Sequence, residues 1–227
     1  MAVIPLVLGK TVVTTEQAFE DSEGRQGSAL LIRNFDNEQL KENAPNLSYD
    51  LRVGAEYKDH RDGWKRDVLE NDPENNHVDL LPGGAVIIET EENLHLPKGM
   101  FGYLVPRVEW LQQGISNTSS KVDAGYNGRL LVTLFNLGRK KVSLPRRERF
   151  CSLVIHSVGS DVVLYDKDAK KISGVGHRRL WQKLRDGIEA NRTIVELALI
   201  VATLLLALAD VRLHSALNAL RNSLGHR

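Results

Sequence analysis

Residues 121–128 read Lys-Val-Asp-Ala-Gly-Tyr-Asn-Gly and carry most of the candidate chemistry of this chain. A polar stretch (116–120) precedes them and an alternating apolar run (130–137) follows, which predicts a tight turn between two strands. Gly125 and Gly128 allow backbone angles that a side chain would forbid. Asp123 and Tyr126 would then stand out at the turn, offering a carboxylate and a flat aromatic face. Such a pair is suited to a sugar hydroxyl and a nucleobase, although a bare hairpin turn has the same signature.

Other candidate chemistry is sparse. The histidines at 60, 77, 95, 156, 177, 214 and 226 show no metal-ligand spacing. Cys151 is the only cysteine, so no intramolecular disulfide and no cysteine-type zinc site is expected. No nucleophile motif accompanies the serines. Glu89, Glu91 and Glu92 form an acidic cluster, expected at a strand end in a solvated loop and not at a metal site. Residues 170–179 are basic and contain Gly174 and Gly176; they could wrap phosphates or serve as a linker.

Positioning these groups requires strands. Short runs at 85–89, 100–105, 129–135, 141–144, 150–158 and 161–165 are separated by Pro82-Gly83-Gly84, Pro97-Lys98-Gly99 and Gly138. Many short strands with turns between them predict a mainly β sandwich or barrel. Helices are expected near 15–21 and 37–43. The highly charged stretch 56–80 reads as a solvated excursion or hairpin.

At 227 residues the chain has room for one domain and an appendage. Its net charge of +1 and the lack of a basic, aromatic stripe argue against nucleic acid as a partner. The single cysteine suits a reducing, cytoplasmic setting. Residues 193–211 are apolar, with charge only at Glu196 and Asp210 and with Arg192 and Arg212 on either side. Their mean hydropathy of roughly 2 and a helical length of about 28 Å fit a transmembrane anchor. A buried helix in an oligomer core fits as well. We expect a barrel domain over 1–165, a basic linker and helix start over 166–192, the hydrophobic helix over 193–211, and an amphipathic tail over 212–227.

Five segments in order resemble motifs of the superfamily of dUTP pyrophosphatases (dUTPases) and dCTP deaminases, whose glycine-rich fifth motif is not recognisable here. Residues 47–54 (Leu-Ser-Tyr-Asp-Leu-Arg-Val-Gly) resemble its first motif, in the form deaminases carry. Residues 94–101 resemble the strand and turn before the second motif, which Val105-Pro106-Arg107 begins. Residues 122–128 and 134–138 are similar to the third motif, and 147–153 to the fourth. The resemblance spans about residues 27–158. It implies a distorted jelly-roll barrel, a homotrimer with sites between subunits, and a pyrimidine deoxynucleotide bound with Mg2+. It also implies site residues: Asp123 as the catalytic carboxylate that positions water, Tyr126 and Gly125 beside the nucleoside, and Arg107, Arg149 and Asp50 as binding groups.

The departures matter equally. Family deaminases place a glutamate ten residues after the motif-three aspartate, where this chain has Thr133, which cannot act as a general base. Val108 and Glu109 follow Arg107 where the family has serines or serine-glycine, Gln112 replaces a further arginine, and Ser152 replaces a glutamine. The resemblance therefore implies a nucleotide-binding domain with weak or absent catalysis, joined to a membrane helix. An active Mg-dependent dUTP pyrophosphatase is the alternative, and a structural trimer with an empty site is a third reading.

Overall fold

The computed structural model describes residues 2–23, 29–40, 45–63, 65–69, 76–159 and 162–172, with Glu196, Ile200, Val201, Thr203 and Leu206 as isolated helical positions. The chain divides into two compact units, Met1–His177 and Arg178–Arg227. The first is a distorted, mainly β barrel, as the motif resemblance implies.

Its strands in chain order are β1 (Val12–Val13), β2 (Leu30–Arg33), β3 (Tyr49–Asp59), β4 (Lys65–Val68), β5 (His77–Leu80) and β6 (Ala85–His95). They continue with β7 (Met100–Pro106), β8 (Ile115–Asn117), β9 (Lys121–Val122), β10 (Asn127–Asn136), β11 (Val142–Pro145) and β12 (Arg149–Ser157). The described helices of this unit are α1 (Glu16–Glu23), α2 (Val108–Gln112) and a short 3-10 turn at His60–Asp62. The main sheet runs β1-β2-β6-β3-β12-β7-β9, with β10 on β6, β8 on β10 and β4 on β3; β11 and β5 form a separate pair. Among the described strands, every strand pair is antiparallel except β1 with β2.

Alternation explains the faces. In β10, Leu130, Val132 and Leu134 point inward between half-exposed neighbours, and in β12 Leu153 and Ile155 do the same. These side chains join Leu6, Ile32, Tyr49, Leu51, Ile88 and Phe150 in one core. Burial of that apolar area is what holds the strands together.

β6 breaks the alternation, and the reason is geometric. Two of its three neighbours bulge at the same level: the register shifts between Val53 and Tyr57 on β3, and between Arg129 and Leu131 on β10. The Leu130 amide donates to Thr90 Oγ1 at 3.0 Å, and that hydroxyl donates to the Glu92 carbonyl at 2.8 Å. Gly54 fits here because an added Cβ would lie 2.4 Å from the Glu89 carbonyl oxygen.

Four expectations change. Glu89, Glu91 and Glu92 lie inside β6 and are buried, not solvated. Arginines distant in sequence make this tolerable. Arg129 meets Glu89, Arg52 meets Glu92, and Arg146 and Arg147 approach Glu91. The charged stretch 56–80 does contain a hairpin, β3–β4, but Tyr57, Asp59 and Leu69 are buried in it. Residues 162–165 are not strand; Asp161 lies outside the described residues. Residues 37–39 form a turn instead of a helix, and 41–43 also lie outside the described residues.

The expected hydrophobic helix 193–211 falls mostly outside the described residues, as do 173–192 and the tail 212–227. Among the described residues, no helix is long and apolar enough to cross a membrane.

Candidate functional site

Adjacent strands bring three of the expected site residues together. Pairing of β12 with β3 sets Ser152 opposite Asp50, and pairing with β7 sets Cys151 opposite Pro106, next to Arg107. Ser152 Oγ donates to Asp50 Oδ1 at 2.5 Å. Arg107 Nε lies 3.4 Å from Asp50 Oδ2, its Nη1 donates to the Arg149 carbonyl at 3.0 Å, and its Nη2 donates to Glu109 Oε2 at 2.6 Å. Trp110 Nε1 donates to the same Arg149 carbonyl at 2.8 Å, so α2 is clamped to β12.

Arg149 faces Asp36, in the loop after β2, with Nη2 at 2.7 Å and Nε at 3.2 Å from Oδ2. Glu38 lies 3.7 Å from the same guanidinium. Burial opposes ionisation of Asp36, but bonds from Arg149, the Glu38 amide and Gln39 outweigh it and hold the carboxyl below its ordinary range. The bond to Asp36 in turn raises the Arg149 guanidinium, against the effect of burial. Asp36 and Glu38 were not among the expected site residues, and a loop carboxylate remote from Arg149 gives no local sequence signal.

The turn at 121–128 lies elsewhere, carrying the chain from β9, which pairs with β7, to β10, which pairs with β6 and β8. β9 pairs with β7 at Gly102 and Tyr103, so the turn sits near Gly102 while Arg107 lies beyond the other end of that strand. Five residues of extended chain separate the two by about 17 Å. Asp123 is 41% exposed at its side chain and pairs with Lys121 Nζ at 2.9 Å. Gly125 takes φ +80 and donates to the Leu96 carbonyl at 3.1 Å, which a side-chain-bearing residue would do only under strain.

Tyr126 points inward, contrary to the expected exposed ring. It is buried, its hydroxyl donates to the Arg129 carbonyl at 2.5 Å, and its ring lies 5.3 Å from that of Tyr165. Burial, then the neighbouring Tyr165 and Glu89, push its phenol well above the ordinary range. The segment 162–172 makes this enclosure: the Tyr165 amide donates to the Ala124 carbonyl at 2.9 Å, and Ile172 is buried. At Gly128 (φ +148) an added Cβ would come within 2.2 Å of Ala169 Cβ. Beside it opens a cavity of about 1070 Å³ lined by Asn127, Gly128, Arg129, Glu89, Arg66 and Lys170, among others.

Among the described residues, no hydrogen bond or ion pair joins Asp123 to Asp50, Arg107 or Arg149. The chain thus holds two separate polar groups: an arginine–carboxylate cluster on β3, β7 and β12, and the Asp123 carboxylate on the turn between β9 and β10. No three His, Cys, Asp or Glu side chains among the described residues converge as a metal cage.

The barrel and its ordered motifs define a member of the dUTPase and dCTP deaminase superfamily. The dCTP deaminase-like family model matches residues 16–158, and the chain belongs to that family. It is 31% identical over 101 residues to a deoxyuridine 5'-triphosphate nucleotidohydrolase of Escherichia phage T5, covering 43% of this chain and 68% of the phage protein. It is 32% identical over 124 residues to a dCTP deaminase of Thermococcus gammatolerans, covering 55% of this chain and 73% of the relative. A 2'-deoxycytidine 5'-triphosphate deaminase structure from Agrobacterium tumefaciens aligns with a TM-score of 0.47 at 16% identity, over 70% of this chain and 50% of that one.

Proposed function

We propose that the barrel binds a pyrimidine deoxynucleotide, dUTP- or dCTP-like, with weak or absent catalysis. The observation that carries this reading is the division of the polar groups into two half-sites about 17 Å apart along one strand. A homotrimer would join such halves when the 121–128 turn of one subunit reaches the arginine cluster of the next. Asp123 would then meet the sugar, with Gly125 and Tyr126 shaping the nucleoside side. Arg107 and Arg149 would meet the phosphates, with Asp50 holding Arg107. Weak turnover is supported by Thr133, which has no basic group where family deaminases carry a glutamate.

Magnesium fits this site as an ion carried on the phosphates. Glu109 is the exposed carboxylate that could face such an ion, and Mg2+ is commonly held by one or two carboxylates plus substrate phosphate. When bound, it would neutralise phosphate charge. Thr193–Val211 would tether the domain to a membrane; the support is the apolar run itself, with Ile200, Val201 and Leu206 exposed in the described part. Recovery of the full-length protein in the soluble fraction without detergent would remove the tether.

The second reading, an Mg-dependent dUTP pyrophosphatase, is favoured by the exposed Asp123 carboxylate beside Lys121. In that reading Asp123 orients a water toward the phosphate chain. One experiment separates the readings: dUTP and dCTP are incubated with the protein and Mg2+, while binding, pyrophosphate and ammonia are measured. Saturable binding without either product supports the binding domain. Pyrophosphate release lost in Asp123→Ala supports the hydrolase. No saturable binding leaves a structural trimer with an empty site.

A further inference from the structure

Both arginines of the β3–β7–β12 cluster already hold carboxylates from their own chain, and those carboxylates differ in kind. Asp50 and Asp36 are inward partners, with side chains 24% and 12% exposed. Glu109 and Glu38 are outward partners, at 71% and 87%. Of the outward pair only Glu109 makes a hydrogen bond, at 2.6 Å, to Nη2 of Arg107, whose own side chain is 18% exposed. Arg107 Nε and Nη1 are turned to Asp50 and to the Arg149 carbonyl.

We propose that Glu109 is a built-in anion that occupies Nη2 of Arg107 and must swing aside before a phosphate can bind there. This rests on the nucleotide-binding reading and deepens it: Glu109 would set how strongly this half-site takes a polyphosphate. Glu109 is the exposed partner of this pair and can turn to solvent, so the carboxylate is displaceable. Until displaced it competes for the same donors, and after displacement it remains a like charge near the ligand. Asp50 has the opposite role. It is half-buried and holds Ser152 as well as Arg107, which fixes the guanidinium in place.

Exposure makes the test clean, because Glu109→Gln is isosteric and should not disturb the core. Full-length protein is titrated calorimetrically with inorganic tripolyphosphate in EDTA, and with dUTP and dCTP in parallel. Glu109→Gln should tighten tripolyphosphate roughly tenfold, as expected for removal of a nearby like charge. Adding Arg107→Met to Glu109→Gln should abolish the gain. Glu20→Gln, an equal charge change on an exposed α1 position, should leave affinity unchanged. The proposal is overturned by a Glu109→Gln effect within about twofold of wild type or equal to that of Glu20→Gln. Absence of tripolyphosphate binding to every variant also overturns it. If tripolyphosphate shows the expected gain but dUTP and dCTP bind no better than tripolyphosphate, the latch stands and the pyrimidine reading fails.

Discussion

Arg52→Met should be among the most damaging single changes in the barrel, through the charge it leaves behind. Glu92 is 0% exposed at its side chain and Arg52 16%. Arg52 Nε donates to Glu92 Oε1 at 2.6 Å, the Arg52 amide to Oε2 at 2.9 Å, and the Tyr49 hydroxyl to Oε1 at 3.1 Å. The guanidinium also bonds the Asn34 carbonyl, so one side chain ties β3, β6 and the loop after β2. Removing it strands a buried carboxylate, which costs about 3–5 kcal/mol. That is a large part of the roughly 5–15 kcal/mol expected for a domain.

The pH dependence has a definite sign. Burial pushes the Glu92 carboxyl above its ordinary value of 4.5 even with Arg52 present. Without the cation it rises further, so the native state keeps a proton that the unfolded chain releases. Stability of the variant then falls as pH climbs from the unfolded value through the folded one. Urea denaturation of wild type and Arg52→Met should show a larger deficit near about pH 8 than near about pH 5. The double variant Arg52→Met/Glu92→Leu should recover most of the loss, because no charge is left unpaired. A deficit under about 1 kcal/mol, the scale of an exposed pair, would refute the reasoning. So would a deficit equal at both pH values, or a double variant no better than the single.

Two further outcomes are expected. Asp36→Asn should cost about 1–3 kcal/mol near neutral pH by weakening the bonds to Arg149. Because the Asp36 carboxyl is held below its ordinary value of 3.8, its contribution is full above that value and fades as pH falls below it. The gap between wild type and variant in an acid melt should therefore close below that pH; a gap that widens would contradict the assignment. Gly54→Ala should cost about 1–3 kcal/mol, because its Cβ meets backbone atoms of Glu89 and Thr90 at 2.4 and 2.9 Å. A urea midpoint unchanged from wild type would show that β3 can move away from β6 freely.

Much of the barrel was legible as alternating apolar runs between glycine and proline turns. The runs at 100–105, 129–135 and 150–158 became β7, β10 and β12 with shifts of one or two residues at their ends. β6 was cut short in the sequence because Glu-Thr-Glu-Glu at 89–92 looks solvated. It continues to His95 because Arg52 and Arg129 cover two of those carboxylates, partners that no local pattern reveals. Residues 161–165 had the alternation of a strand, yet the described part packs over the 121–128 turn through Tyr165.

The sequence by itself determined the residue types at each motif and their order, and hence the family. Gly125 and Gly128 at their spacing required a turn at 121–128, because only that backbone freedom explains both. Tertiary structure alone decided what those residues face. Asp36 and Arg149 stand 113 positions apart and meet only because the loop after β2 folds over β12. Tyr126 turns inward because Tyr165 and the Arg129 carbonyl offer it a closed, hydrogen-bonded place. Asp123 and Arg107 share a family motif set but sit at opposite ends of β7, since strand length and pairing register place them there. Side-chain chemistry is written locally, whereas the distance between two chemical groups depends on every strand that lies between them.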